Sequence, residues 1–353
     1  MSGLSQKKMV ALTGAVTGLL AVMLVYFGNP VNMGICVACF IRDIAGAVGM
    51  HRAAVVQYIR PEIIGFILGS FGIAFATKEF KVTGGSAPIL RFVMGFFVMI
   101  GALVFLGCPL RMALRLAGGD LNALVGLAGF TAGIVIGIYF LKKGYSLGKS
   151  QSLPVSNGYA MPIIAVVLLV LAVAGPAFIF RSEEGPGSMA APIVIALAAG
   201  LIVGALSQKS RLCMAGGIRD LILIKDPHMF IGLASIFVVA LIGNIVMGKF
   251  NLGFESQPVA HTDVLWNFLG MTVVGLGSIM LGGCPLRQTI LIGEGNTDAA
   301  VTFMGFLVGA AFAHNFGLAS SGAGSTANGQ IAVVIGLVVM LAIAFSNLEK
   351  SKK

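Results

Sequence analysis

The chain has 353 residues, of which 58% are apolar and only 10% charged, and its formal net charge is +10. A water-soluble domain carries roughly a quarter charged residues, so this composition excludes a solvated fold. The positive balance does not point to nucleic acid, because no aromatic-basic patch or nucleic-acid motif accompanies it.

The expected fold is an all-α integral membrane protein with about ten transmembrane helices of roughly 20 residues each, plus short re-entrant helices. In chain order, apolar runs predict spans over 9–27, 62–77, 89–107, 121–141, 161–180, 190–207, 229–247, 264–283, 299–318 and 331–346. The first run has a basic flank but is span-length and lacks a small-residue cleavage site, so it reads as a helix and not as a signal peptide. Two stretches fit no span: "NPVNMGICVACFIRDIAGAVGM" (29–50) and "SRLCMAGGIRDLILI" (210–224). Each is apolar yet carries Arg, Asp, Cys and Gly. Such backbone survives at membrane depth only when buried in protein or lining a wet cavity, so both are expected to be re-entrant or broken helices. Segment 142–160 reads as a central loop, and "SSGAGSTANGQ" (320–330) as a flexible outer loop.

An internal repeat runs through this pattern. Ile41-Arg42-Asp43 recurs as Ile218-Arg219-Asp220, and Cys36 falls on Cys213, at an offset of 177 residues. Gly-Cys-Pro-Leu-Arg occurs twice, around Cys108 and Cys284, at an offset of 176. The expected organisation is therefore two repeats, 1–181 and 182–353, with five spans each. An odd number of spans per repeat requires the second to run upside down. Loop charges agree: with the N-terminus inside, Lys7, Lys8, Lys78, Lys81, Lys142, Lys143, Lys149, Lys209, Lys225, Lys350, Lys352 and Lys353 all fall inside. Outside fall Arg52, Arg60, Arg181 and Lys249, with Glu183, Glu184, Glu255 and Asp263. This asymmetry predicts cytoplasmic N- and C-termini. Inverted repeats of this kind place a transporter's site near the midplane.

The repeated segments carry the candidate chemistry. Gly107 and Gly283 permit close approach or unusual dihedrals. Pro109 and Pro285 suit a helix break followed by a new helix start. A cysteine at such a start shares it with helix-terminal N–H groups, which favour anions, and Arg111 and Arg287 add a cation. The plain alternative is a kinked helix with cysteine as a small hydrophobe; recurrence at matched register favours a paired site. Arg42, Asp43, Arg219 and Asp220 are costly at membrane depth unless paired or functional, the alternative being interfacial anchors. Cys36, Cys108, Cys213 and Cys284 form the expected substrate pathway, a column of thiols with Cys36 and Cys108 approaching from outside and Cys213 and Cys284 from the cytoplasm. Thiols beside arginines suit a small anion containing sulfur or selenium.

Cys39 has Gly216 as its counterpart, so its role stays open. Cys36-Val-Ala-Cys39 reads as C-x-x-C, compatible with redox or metal chemistry or with a disulfide. His51, His228, His261 and His314 are scattered without ligand spacing, and no metal or cofactor is expected. Glu294 and Asp298 are the nearest candidates for a proton carrier, in an expected loop.

The paired Gly-Cys-Pro-Leu-Arg segments and the Cys-plus-Ile-Arg-Asp segments resemble the YeeE/YedE family of bacterial inner-membrane proteins, over essentially the whole chain. The long middle segment and "KSRLCMAGGIRDLILIKDPHMF" look most like the selenium-metabolism YedE branch. The resemblance implies an inner-membrane permease, not an enzyme, for a thiosulfate-like or selenium compound, passed along by S–H···S contacts. It puts Cys108 and Cys284 first, then Cys36 and Cys213. It also implies a TusA/SirA-like sulfur carrier protein as a partner, with no such domain expected in a chain that ends in "NLEKSKK". The rivals are a membrane sulfur- or selenium-transferase or redox subunit working through persulfides or disulfides, and a scaffold for a dehydrogenase.

Overall fold

The computed structural model describes residues 6–348. Lys350, Lys352 and Lys353, counted above among the inside charges, lie outside the described residues. The helices are α1 (Gln6–Tyr26), α2 (Val37–Ala47), α3 (Pro61–Ala76), α4 (Pro88–Phe105), α5 (Pro109–Ala117), α6 (Leu121–Lys142) and α7 (Val155–Ala174). They continue as α8 (Ile193–Ser210), α9 (Met214–Leu223), α10 (His228–Val246), α11 (Val264–Met280), α12 (Pro285–Gly293), α13 (Thr297–Asn315) and α14 (Ala327–Ser346). A 3-10 turn, Ala54–Val56, precedes α3, and two short strands, β1 (Thr83–Gly84) and β2 (Gln151–Ser152), pair antiparallel. Among the described residues ten helical segments are long and apolar enough to cross a membrane, the short helices α5, α9 and α12 continuing three of them. The chain is thus an all-α multi-pass membrane protein.

Four long pairs build the bundle: α1 with α10, α3 with α8, α4 with α13, and α6 with α11. Each pair takes one helix from each sequence repeat. Lipid offers no hydrophobic drive between helices, so close backbone approach at small residues must hold them. Gly200 faces Glu62 and Gly65, and Gly204 faces Phe66, so α3 and α8 run parallel. The same reading makes α6 and α11 parallel, with Gly129 at Phe268 and Gly133 at Thr272. By contrast α4 and α11 are antiparallel: Gly101 and Phe105 meet Gly270, and Gly277 meets Val98.

A Cβ placed on Gly65 would stand 2.7 Å from the Gly200 backbone, and overpacking of this kind costs about 1–3 kcal/mol or more. Gly65→Leu is therefore expected to lower the thermal midpoint of the detergent-purified protein by several degrees. A midpoint unchanged from wild type would contradict the close α3–α8 approach.

Two sequence expectations shift. The fifth span begins at Val155 and not at 161, and ends at Ala174, because the helix runs through Pro162 and is stopped by Gly175 (φ 56°) ahead of Pro176. Residues 320–330 are not all loop: Thr326 caps α14 through Gly329 N, so 327–330 are helical.

Thiol pairs at the starts of four short helices

The four repeated cysteines share one local geometry. Cys36, Cys108, Cys213 and Cys284 are the N-cap residues of α2, α5, α9 and α12. At the Gly-Cys-Pro copies this follows from sequence. The preceding helix ends before a residue with positive φ, Leu106 (φ 62°) or Gly282 (φ 81°), and proline then occupies the first helical position, where its missing N–H costs nothing. At the other two copies the sulfur itself caps the helix. Cys36 Sγ accepts from Cys39 N at 3.3 Å, and Cys213 Sγ accepts from Gly216 N at 3.3 Å.

Folding brings these cysteines together two by two. Cys36 Sγ lies 4.0 Å from Cys108 Sγ, and Cys213 Sγ lies 3.8 Å from Cys284 Sγ, both within S–H···S reach. Each pair therefore stands where two helix N-termini converge. At Cys108 and Cys284 the sulfur makes no cap hydrogen bond to its own helix. Converging helix starts supply positive potential and unpaired donors, a setting that favours an anion. The two pairs sit at different heights. The break after α4 is level with Gly270, and that after α11 comes at Leu281, eleven residues further along an antiparallel neighbour, or about 16 Å of helix. All five cysteines are buried and carry free thiols.

In the C-x-x-C segment both thiols are free. Cys36 and Cys39 form no disulfide, since Cys36 Sγ caps the Cys39 amide while Cys39 Sγ meets Arg111 Nη1 at 3.5 Å. Among the described residues no group of three or more His, Cys, Asp or Glu is arranged to hold a metal ion.

The arginines differ in burial and in the partners they hold. Arg42 and Asp43 are not interfacial anchors. Asp43 Oδ1 lies 2.7 Å from Arg42 Nη2, and Asp43 Oδ2 lies 2.7 Å from Arg60 Nε, all three side chains being buried. Arg60, placed in an outer loop by sequence, is fully buried; Nη1 and Nη2 donate to Met189 O and Pro186 O at 2.9 and 2.7 Å, and the guanidinium stacks over Phe40. Sequence reasoning missed it because its partner carboxylate lies 17 residues away. Arg219 and Asp220 pair at 2.7 Å with Arg219 a third exposed, nearer the interfacial reading. Arg111 is fully buried and donates to Asn32 O, Leu106 O and Val259 O. Arg287 instead grips Glu294, at 2.8 Å from Nη1 and 3.3 Å from Nη2. Gly107 and Gly283 lie against the stems of Arg111 and Arg287, where no larger residue fits without displacing them.

The proton-carrier candidates also change. Asp298 is buried and accepts from Gly85 N, Ser86 Oγ and Ser150 Oγ, tying α13 to the loops around β1 and β2. Glu62, overlooked in the sequence because it opens a span behind a proline, is buried and takes one hydrogen bond from Asn29 Nδ2 at 2.7 Å. Beyond the other end of α3, Glu79 binds Gln208, Lys209 and Arg211 at 2.7, 3.0 and 2.8 Å. Hydrogen bonds from Gln208 and Lys209 hold its carboxyl below the ordinary glutamate range, so it is ionised at neutral pH.

These features define a polytopic membrane protein whose two buried thiol pairs occupy converging helix starts. Residues 209–348, most of the second repeat, match the family described as sulphur transport. Two relatives are named thiosulfate transporter TsuA. The chain is 30% identical to that of Spirochaeta thermophila over 103 residues, and 27% identical to that of Escherichia coli over 116 residues. These alignments cover 29% and 33% of this chain and 31% and 32% of the relatives, so the chain aligns with about a third of each. Residues 209–348 thus match the sulphur-transport family, which supports the YeeE/YedE resemblance for the Cys213 and Cys284 segments they contain.

Proposed function

We propose that the chain is a permease of the bacterial inner membrane for a small sulfur anion of the thiosulfate type, passed between its two thiol pairs. The observation that carries this reading is the pairing of Cys36 with Cys108 and of Cys213 with Cys284, each at two helix N-termini. A thiol can donate weakly to a sulfur ligand, while helix ends and arginines offset the charge of an anion leaving water. The pairs stand at different depths, so an anion could be received by one and released from the other. The names of the aligned relatives support thiosulfate as the cargo, and neither speaks for the selenium branch. The repeat is proposed to be inverted, with both termini cytoplasmic; the parallel α3–α8 and antiparallel α4–α11 contacts support it, as do the loop charges. A TusA-like carrier remains the partner that the family resemblance suggests on the cytoplasmic side.

The test is uptake of radiolabelled thiosulfate into proteoliposomes containing the purified chain. Saturable uptake, competed by unlabelled thiosulfate, is the expected result. Uptake no faster than in empty liposomes would overturn the reading. Stronger competition by selenite than by thiosulfate would move the cargo to selenium, and stable persulfide adducts in the mass spectrum would favour the sulfur-transferase alternative.

A further inference from the structure

The two Gly-Cys-Pro-Leu-Arg copies are the same in sequence but not in charge environment. On the first copy, Arg111 donates to neutral acceptors: Nε to Asn32 O at 3.0 Å, Nη2 to Val259 O at 2.9 Å, and Nη1 to Leu106 O and to Cys39 Sγ at 3.5 Å. Among the described residues no carboxylate lies within ion-pair distance of it. On the second copy, Arg287 is neutralised by Glu294 through two contacts. Three differences between the repeats produce this. Glu294 stands where the first repeat has Gly118, and a side chain at 118 would run into Asn32. Gln288 stands where the first repeat has Met112, and its Nε2 donates to Leu281 O at 3.0 Å, so a carbonyl at the second break is satisfied without Arg287. Gly216 replaces Cys39, removing the sulfur that holds Arg111.

We propose that Glu294 makes the second thiol pair the releasing site, by neutralising Arg287, while the uncompensated Arg111 makes the first pair the receiving site. This inference rests on the permease reading above. An anion at Cys36 and Cys108 meets a guanidinium whose charge no carboxylate cancels. An anion at Cys213 and Cys284 must compete with Glu294 for Arg287. Conduction requires binding strong enough for entry and weak enough for exit, and two equally cationic sites in series would hold the anion at the second. Glu294 is itself tethered: Arg211 Nη1 binds it at 2.7 Å while Arg211 Nη2 reaches Glu79, and this cluster is partly exposed. The releasing site is thus linked to a partly exposed charge cluster and the receiving site is not.

The test is thiosulfate binding by calorimetry on the purified full chain, paired with proteoliposome uptake. Glu294→Gln frees the charge of Arg287; thiosulfate is expected to bind about tenfold more tightly while uptake slows. The double variant Arg287→Gln/Glu294→Gln is expected to lose that gain. Unchanged binding in Glu294→Gln, or tight binding that persists in the double variant, overturns the assignment. If Glu294→Gln fails to reach the membrane, the half-exposed Arg211 decides. Arg211→Gln leaves Glu294 wholly to Arg287, so the weaker step of the two-site isotherm, the second pair, is expected to weaken about threefold with the tighter step and uptake retained; a weaker step equal to or tighter than wild type overturns the assignment. A wild-type chain that neither binds nor imports thiosulfate overturns the permease reading itself, a result distinct from normal import by an unaffected Glu294→Gln.

Discussion

Cys108→Ala and Cys284→Ala are each expected to reduce thiosulfate uptake by at least about a hundredfold, equivalent to about 2.7 kcal/mol in the barrier, while leaving the protein in the membrane. The chemical reason is that each sulfur is half of a pair, 4.0 Å from Cys36 Sγ or 3.8 Å from Cys213 Sγ. Removing one thiol leaves a single weak donor where the anion needs a handover. The structural reason the fold survives is that neither sulfur caps its own helix; α5 and α12 begin at proline whatever precedes it. Initial uptake rates at matched protein levels measure the effect. Wild-type uptake in either variant would end the thiol relay. Cys36 and Cys213 are less clean targets, because their sulfurs also satisfy the Cys39 and Gly216 amides and their loss mixes a capping defect into the readout.

Asp43→Ala is expected to be the most destabilising single substitution considered, costing about 3–5 kcal/mol, because it leaves Arg42 and Arg60 buried with no carboxylate. The matched substitution Asp220→Ala is expected to cost under about 1 kcal/mol, since Arg219 is partly exposed and water can take over. Thermal unfolding of the two purified variants tests the contrast, with the Asp43 variant also expected to be depleted from the membrane fraction. Equal midpoints would mean that the burial difference between α2 and α9 carries no energetic weight. Because Asp43 and Cys36 share α2, the charge cluster also fixes the helix whose start holds one half of a thiol pair.

The parts of this architecture legible in the sequence are those set by local rules. Apolar run length marks the ten spans, and the cost of Arg and Asp in an apolar segment marks α2 and α9 as exceptional. Proline after cysteine marks the new starts of α5 and α12. What the sequence does not disclose is set by packing between distant segments. Nothing local shows that Cys36 meets Cys108 across 72 residues, or that Arg60 turns inward to Asp43. The identical Gly-Cys-Pro-Leu-Arg copies likewise conceal that Arg111 ends on carbonyls and Arg287 on Glu294. The fifth span, expected over 161–180, in fact runs over Val155–Ala174 with Pro162 inside it, because the helix starts in the polar Val155–Tyr159 turn that apolar run length does not mark.

The crossing of helices between repeats constrains how such a protein can move and be made. Since α1, α3, α4 and α6 each lie along a helix encoded later in the chain, swinging one repeat against the other would shear four glycine-lined seams at once. Synthesis meets the same constraint in time: the first four spans enter the bilayer with their seams open, and the first, α1, finds its partner only when α10 follows some two hundred residues later.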